Sequence, residues 1–349
     1  MFSLCVAQAQ SPAPPLPAIY ALTFSPDGKT LAVGTHKQAL LYDAATWTVS
    51  KRLTRQGDAV RSFAFHPDGK RLALGGGVTG ATGSLALWDT ATPDQMVNYG
   101  KATDTIEGIA FNKDGSSMLT ASFDSKARFY RNAYYAFGNQ PLEEHNGRVT
   151  SVAFSPKPNT IFITGAMDKM VKVWEFESVK VVVNFDQATA GITGLEFLNN
   201  GDQFVGSSMD GNLYWWGVGY NERKKIYSGY SFRKIKAHED GVTAFSISSN
   251  RQRIATGGMD KTVKVWNMEN GGQVCVFKEP SAPIYATALT PDGKICAAAG
   301  REGVIWIWDV EANKLITTIT PPRVGQKIVA SALASTTPAT TNATAKTKP

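Results

Sequence analysis

One phrase, written seven times along the chain, constrains the fold more than any other feature of the sequence. An alternating apolar strand ends in a bulky apolar residue and is followed by a turn and a second short strand. The copies read IYALTFSPDGKTLAVG (19–34), VRSFAFHPDGKRLALG (60–75), IEGIAFNKDGSSMLTA (106–121), VTSVAFSPKPNTIFITG (149–165), ITGLEFLNNGDQFVGS (192–207), VTAFSISSNRQRIATG (242–257) and IYATALTPDGKICAAAG (284–300). Their anchors, Phe24, Phe65, Phe111, Phe154, Phe197, Ile247 and Leu289, stand 41 to 50 residues apart and about 44 on average. A period of that length means one supersecondary unit counted out along the chain, each unit too small to bury its apolar faces alone.

Each unit holds four candidate strands, which in the fourth copy are VTSVAFS, IFITG, MVKVWEF and VKVVVNF. The Pro-Asp-Gly and Asn-Asn-Gly stretches between strands are turn chemistry, since glycine supplies positive φ and proline fixes its own. Four short strands every 40 to 45 residues describe a β-propeller blade rather than a helical solenoid. The expected fold is therefore all-β, a seven-bladed β-propeller with four antiparallel strands per blade. It occupies residues 19–320, with a flexible N-terminus or truncated signal remnant over 1–18 and a disordered Thr/Ala/Pro-rich tail over 321–349. The Pro-rich segment 12–17 is a poor donor strand, so the last blade is expected to come wholly from the C-terminal end.

The third strands end in LLYD (40–43), LALWD (85–89), KVWE (172–175), YWW (214–216), KVWN (264–267) and WIWD (306–309). On these endings, and on seven copies in register, the chain resembles the WD-repeat β-propeller family over about 300 of its 349 residues. Only Trp88-Asp89 and Trp308-Asp309 carry the literal pair after which that family is named. The resemblance implies a buried Trp, Ser/Thr, His and Asp tetrad in well-formed blades. The matching residues are His145, Thr164, Asp168 and Trp174 in the fourth copy, and His238, Thr256, Asp260 and Trp266 in the sixth. The other copies depart from it. Tyr130 stands for Trp in the third, Gly206 for Thr in the fifth, and Glu302 for Asp in the seventh, so ladders and core packing are expected to hold those blades.

A His-Asp-Thr set also invites a catalytic reading, as a nucleophilic triad. Against it, each Thr lies mid-strand in an apolar pattern with no nucleophile-elbow glycines around it, whereas a triad needs an exposed nucleophile beside an oxyanion hole. The structural reading is preferred, and no catalytic residue is assigned.

The family resemblance implies a binding platform, a non-catalytic protein–protein interaction scaffold. Its usual contact face carries the loops between blades and the tight turns between second and third strands. Just before the turn Asp stand Phe123, Met167, Met209 and Met259, an apolar residue recurring where a polar one would be easier to solvate. The alternative for these side chains is to plug the channel mouth. Tyr20, Arg61, Glu107 and Tyr285, near the start of first strands, are expected to join the partner-binding face. The 217–238 insertion, with Arg223, Lys224 and Lys225 among aromatic residues, is read either as a loop for an acidic partner or as a solvated hairpin.

Net charge is +7, but the cations are spread along the chain rather than gathered in a nucleic-acid stripe, so no specific nucleic acid is expected. No apolar run is long enough to span a bilayer. Four histidines, and three cysteines (Cys5, Cys275, Cys296) without CxxC or CxxCH spacing, argue against a metal centre or haem, and no cofactor is expected. The competing class is a lactonase-like or quinoprotein-like propeller of an exported bacterial protein, since the SPDGK phrase occurs in such propellers too. Expected partners are other proteins or peptides, met by a monomeric propeller within a larger complex. The Ala7-Gln8-Ala9 stretch leaves exported and cytoplasmic placements equally open.

Overall fold

The computed structural model describes residues 15–92, 96–133, 139–158 and 160–326. Most of the expected N-terminal remnant and tail, Cys5 included, therefore lies outside the described residues. Those that are described form antiparallel strands and turns, and none of them belongs to a helix long and apolar enough to cross a membrane.

Five sheets have four strands each, laid side by side in chain order. One is built from Val149–Phe154, Ile161–Ala166, Val171–Glu175 and Val181–Phe185, and the others span 106–142, 192–236, 242–277 and 284–319. The sheet at 284–319 takes all its described strands from the C-terminal end. Burial explains the letters. Second strands are covered on both faces, so Ile161–Ala166 is buried at every position and reads as an unbroken run of apolar and small residues. Outer strands have one wet face, so Lys314–Ile319 alternates exposed and half-buried residues.

The first two copies depart from separate four-stranded units. They merge into a six-stranded sheet over 21–102, because two of its strands run on without a break. Thr30–Asp43 carries Lys37 in the left-handed region (φ 66°), between a first half paired with Ala21–Phe24 and a second half paired with Thr48–Phe65. Thr48–Phe65 in turn begins as an outer strand and ends as an innermost one, pairing with Arg71–Val78.

Apolar clusters fill the spaces between successive sheets. Phe197, Phe204 and Trp216 pack with Ile163, Val173 and Phe185 across the gap between the 149–185 and 192–236 sheets. Burying one such aromatic contributes roughly 1.5–3 kcal/mol. Ile19, Leu22 and Phe24 pack likewise on Ala297, Ile305 and Ile307, which brings the last sheet against the first. The innermost strands touch in succession from Ala21–Phe24 round to Ile284–Leu289, and that last strand touches Ala21–Phe24 again. Close approach of neighbours needs a small residue at Gly194 of the innermost strand Ile192–Phe197. A Cβ on Gly194 would lie 2.4 Å from the Cβ of Phe245. Past residue 320, Pro322 and Gln326 accept hydrogen bonds from Gln38 and Arg52, each at 2.7 Å, so packing against the first sheet extends to Gln326.

Candidate functional site

The site is a cavity of about 350 Å³ at the hub where the innermost strands meet. A repeated irregularity builds it. In six of these strands the pairing with the next strand skips one residue, between Val60 and Ser62, Ile106 and Gly108, Val149 and Ser151, Ile192 and Gly194, Val242 and Ala244, and Ile284 and Ala286. The skipped residues are Arg61, Glu107, Thr150, Thr193, Thr243 and Tyr285. A bulge frees its residue from the ladder and re-aims the side chain, and all six line the cavity, with Tyr20 and Phe123.

The wall is two-sided. On one side, Tyr285 and Tyr20 stack at 5.4 Å, the Arg61 guanidinium lies 4.3 Å from the Tyr20 ring centre, and its Nη1 is 3.3 Å from Glu107 Oε1. Arg148 covers Phe123 at 4.8 Å. On the other side stand three threonines whose hydroxyls are engaged locally. Thr150 donates to the Ile192 carbonyl at 2.6 Å, Thr243 donates to the Ile284 carbonyl at 2.5 Å, and Thr193 bonds Ser207 at 2.8 Å. Burial pushes the Glu107 carboxyl up to about 7, against the pull of Arg61.

The four apolar turn residues share a backbone role but not a location. Phe123, Met167 and Met209 donate their N–H groups to Thr105, Arg148 and Gly191 carbonyls at 2.8–2.9 Å, and Met259 to Gly241 at 3.4 Å. Each turn is thereby tied to the loop entering an innermost strand. Phe123 reaches the cavity. The methionines do not line it; they stand exposed at 42, 36 and 39 % on the turns around it. Met167 folds over Gly191, where an added Cβ would meet its sulfur at 2.5 Å.

In the 149–185 sheet, His145 Nδ1 is 2.9 Å from Asp168, its Nε2 is 2.7 Å from Thr164 Oγ1, and Trp174 Nε1 donates to the same oxygen at 3.0 Å. In the 242–277 sheet, His238 bridges Asp260 at 3.0 Å and Thr256 at 2.8 Å, and Trp266 donates to Thr256 at 2.9 Å. Burial lowers the His238 pKa, keeping the ring neutral, so that Nδ1–H can donate to the carboxylate while Nε2 accepts from the hydroxyl. Both threonines are fully buried, which leaves no approach for a substrate.

Beside their ladders and packing, the third, fifth and seventh copies also carry polar clasps. Asp210 accepts from Tyr214 at 2.7 Å and from Thr189, while Trp216 donates to Gln187 at 2.8 Å. Arg128 grips Asp124 through both Nη atoms, at 2.5 and 3.2 Å. Glu302 accepts from both the backbone N–H and the hydroxyl of Ser281 at 2.9 Å. Gln187 stands 29 residues before Trp216, as His145 does before Trp174, and Ser281 stands 21 before Glu302, as Thr189 does before Asp210, so the tetrad spacing in the sequence already marked these loop positions.

The 217–238 insertion is a long hairpin, Asn212–Asn221 against Ile226–Lys236. Arg233 and Lys234 lie over the Trp215 and Tyr214 rings, and Lys236 bonds backbone carbonyls. Arg223, Lys224 and Lys225 are exposed at its tip.

Comparison with known families follows this geometry. The model for the WD domain, G-beta repeat, matches residues 47–89, 95–131, 139–175, 179–217, 229–267 and 271–309. The chain belongs to the WD40 repeat family. Members are typically non-catalytic and mediate protein interactions. This WD40 protein is 24 % identical over 248 residues to Protein tipD of Dictyostelium discoideum, covering 68 % of this chain and 38 % of that one. It is 24 % identical over 337 residues to Cilia- and flagella-associated protein 52 of Chlamydomonas reinhardtii, covering 84 % and 53 %. To the Serine-threonine kinase receptor-associated protein of Gallus gallus it is 20 % identical over 230 residues, covering 65 % and 61 %. The chain thus spans less than two thirds of the length of each of these relatives.

Proposed function

We propose that this WD40 protein is a seven-bladed propeller over residues 19–320 that holds another protein or peptide on the face bearing Phe123, Met167, Met209 and Met259. It does so without catalysis, as one copy within a larger assembly. The count of seven draws support from the cyclic succession of innermost strands, to which Ala21–Phe24, before residue 47 and outside the six matched repeats, adds a seventh. The merged sheet over 21–102 then counts as two blades joined through Thr48–Phe65.

The observation that carries the docking face is the methionine arc. Three equivalent turns each leave a methionine more than a third exposed, around a cavity walled with aromatic and charged groups. Methionine adapts its shape to a partner, and solvent-facing turns have no folding need for it. A relative named for association with serine-threonine kinase receptors fits a binding role.

The test is the triple variant Met167→Lys, Met209→Lys, Met259→Lys, compared with the unaltered chain for recovery of co-purifying protein. Recovery is expected to drop while the melting temperature stays unchanged. Equal recovery from both would exclude this face.

A further inference from the structure

The cavity wall already carries a cation. The Arg61 guanidinium occupies a face of Tyr20, and Arg148, outside the lining, covers Phe123. What the wall lacks is a full set of acceptors. Arg61 Nε is buried with no hydrogen-bond partner among the described residues, and Glu107 Oε1 meets Arg61 Nη1 as an ion pair without a hydrogen bond. The threonine side offers room rather than charge, since its hydroxyl protons are directed at the protein itself. Glu196, the other carboxylate on the wall, is held by Arg251 at 3.0 Å.

We propose that a carboxylate of the bound partner, from an acidic side chain or a chain terminus, sits against Arg61 in this cavity in the place that Glu107 now holds. This rests on the docking-face reading above, and it names the chemistry that face selects. Glu107 acts as an internal competitor. The groups facing it are Arg61 from the preceding innermost strand, Asp104 from the loop entering its own strand, and Arg148 from the loop entering the next. Asp104 is engaged by the Gly80 and Thr105 N–H groups at 2.8 and 2.7 Å. As Glu107 takes up a proton it releases Arg61 to the guest, and as a neutral acid it can donate to the guest carboxylate. With its midpoint at about 7, the competent form is abundant at pH 6 and scarce at pH 8. Apparent affinity scales with that fraction, so binding should be about tenfold tighter at pH 6 than at pH 8.

The experiment follows the Arg61 Nε–H resonance of the full chain by NMR, assigned by its loss in Arg61→Lys, while acetate is added at pH 6 and pH 8. Methylammonium at equal ionic strength is the cation probe. The expected result is a saturable acetate shift with the tenfold pH preference, and a linear response to methylammonium. Glu107→Gln, nearly isosteric, is expected to bind acetate equally at both pH values. A shift that never saturates, saturation by methylammonium instead, or equal acetate affinity at both pH values in the unaltered chain would overturn the proposal. Acetate binding does not use the methionines. Saturable acetate with unchanged partner recovery in the methionine variant would refute the docking face alone, and the converse would refute the carboxylate site alone.

Discussion

Replacing Thr164 with valine keeps the shape of a fully buried side chain and removes the one oxygen on which a tetrad turns. Trp174 Nε1–H at 3.0 Å and His145 Nε2 at 2.7 Å both lose their partner, and neither can reach water. Stranding a buried polar group costs roughly 1–3 kcal/mol. Two such groups, less a fraction of a kcal/mol for the added methyl, give a deficit of about 2–5 kcal/mol. A domain is stable by only ~5–15 kcal/mol. At about 2 °C per kcal/mol for a chain of this size, the melting temperature should fall by roughly 4–10 °C. The molecule supplies its own reciprocal case. Trp308 pairs with Cys296 as Trp174 pairs with Phe162, but the residue ten positions before it is Ala298, and its Nε1 has no hydrogen-bond partner among the described residues. Ala298→Ser offers that indole an acceptor and should add up to ~1 kcal/mol. Both variants are read by thermal and guanidinium unfolding, with amide exchange at Asn146, whose N–H bonds Asp168, as the local probe. A Thr164→Val protein melting within about 1 °C of the unaltered chain would refute the accounting, because the hydroxyl would then not be the hub of the network.

Two further outcomes test the other clasps and the hairpin. Burial pushes the Asp210 carboxyl up, but hydrogen bonds led by Tyr214 outweigh it and hold the group at about 2. Its contribution is therefore present above the unfolded carboxylate range near 3.9 and is lost as pH falls toward about 2. Tyr214→Phe should cost ~1.5–3 kcal/mol at pH 7, the worth of a hydrogen bond to a charged acceptor, and less at pH 2; a deficit independent of pH would rule this out. For the hairpin, Arg223→Glu, Lys224→Glu, Lys225→Glu should abolish salt-dependent retention on polyglutamate without shifting the melting temperature, because all three side chains stand in solvent. Retention of the unaltered chain that does not respond to salt would exclude an acidic-partner loop at this tip.

The repeat period and the all-β class were legible in the letters, because each depends on local spacing, and the residues of both tetrads were named through the family resemblance. A strand of alternating apolar residues, a Pro-Asp-Gly turn, and a Thr four residues before an Asp all lie within one unit. Tyr20, Arg61, Glu107, Phe123 and Tyr285 could be named from the sequence, but the cavity's Thr150, Thr193 and Thr243 were missed, and the separation of the turn residues could not be read. Phe123, Met167, Met209 and Met259 occupy the same turn position, yet only Phe123 faces the cavity, while the methionines stand outside it. The reach of a side chain depends on what the neighbouring sheet leaves open.

What only the tertiary structure decided was the register. Arg61, Glu107 and Tyr285 each occupy a skipped position in an innermost strand, and nothing in the words VRSFAF, IEGIAF or IYATAL distinguishes a bulge from regular pairing. The substitute clasps were legible in position but not in partner: Gln187 stands 29 residues before Trp216, as His145 does before Trp174, yet packing decided which side chain bonds the indole. By itself the sequence determined the unit and its repetition, because strand and turn propensities act over a few residues. Tertiary packing determined which side chains meet at the hub and how far burial moves the Glu107 proton, because desolvation and charge contact arise only when distant strands share one enclosed space.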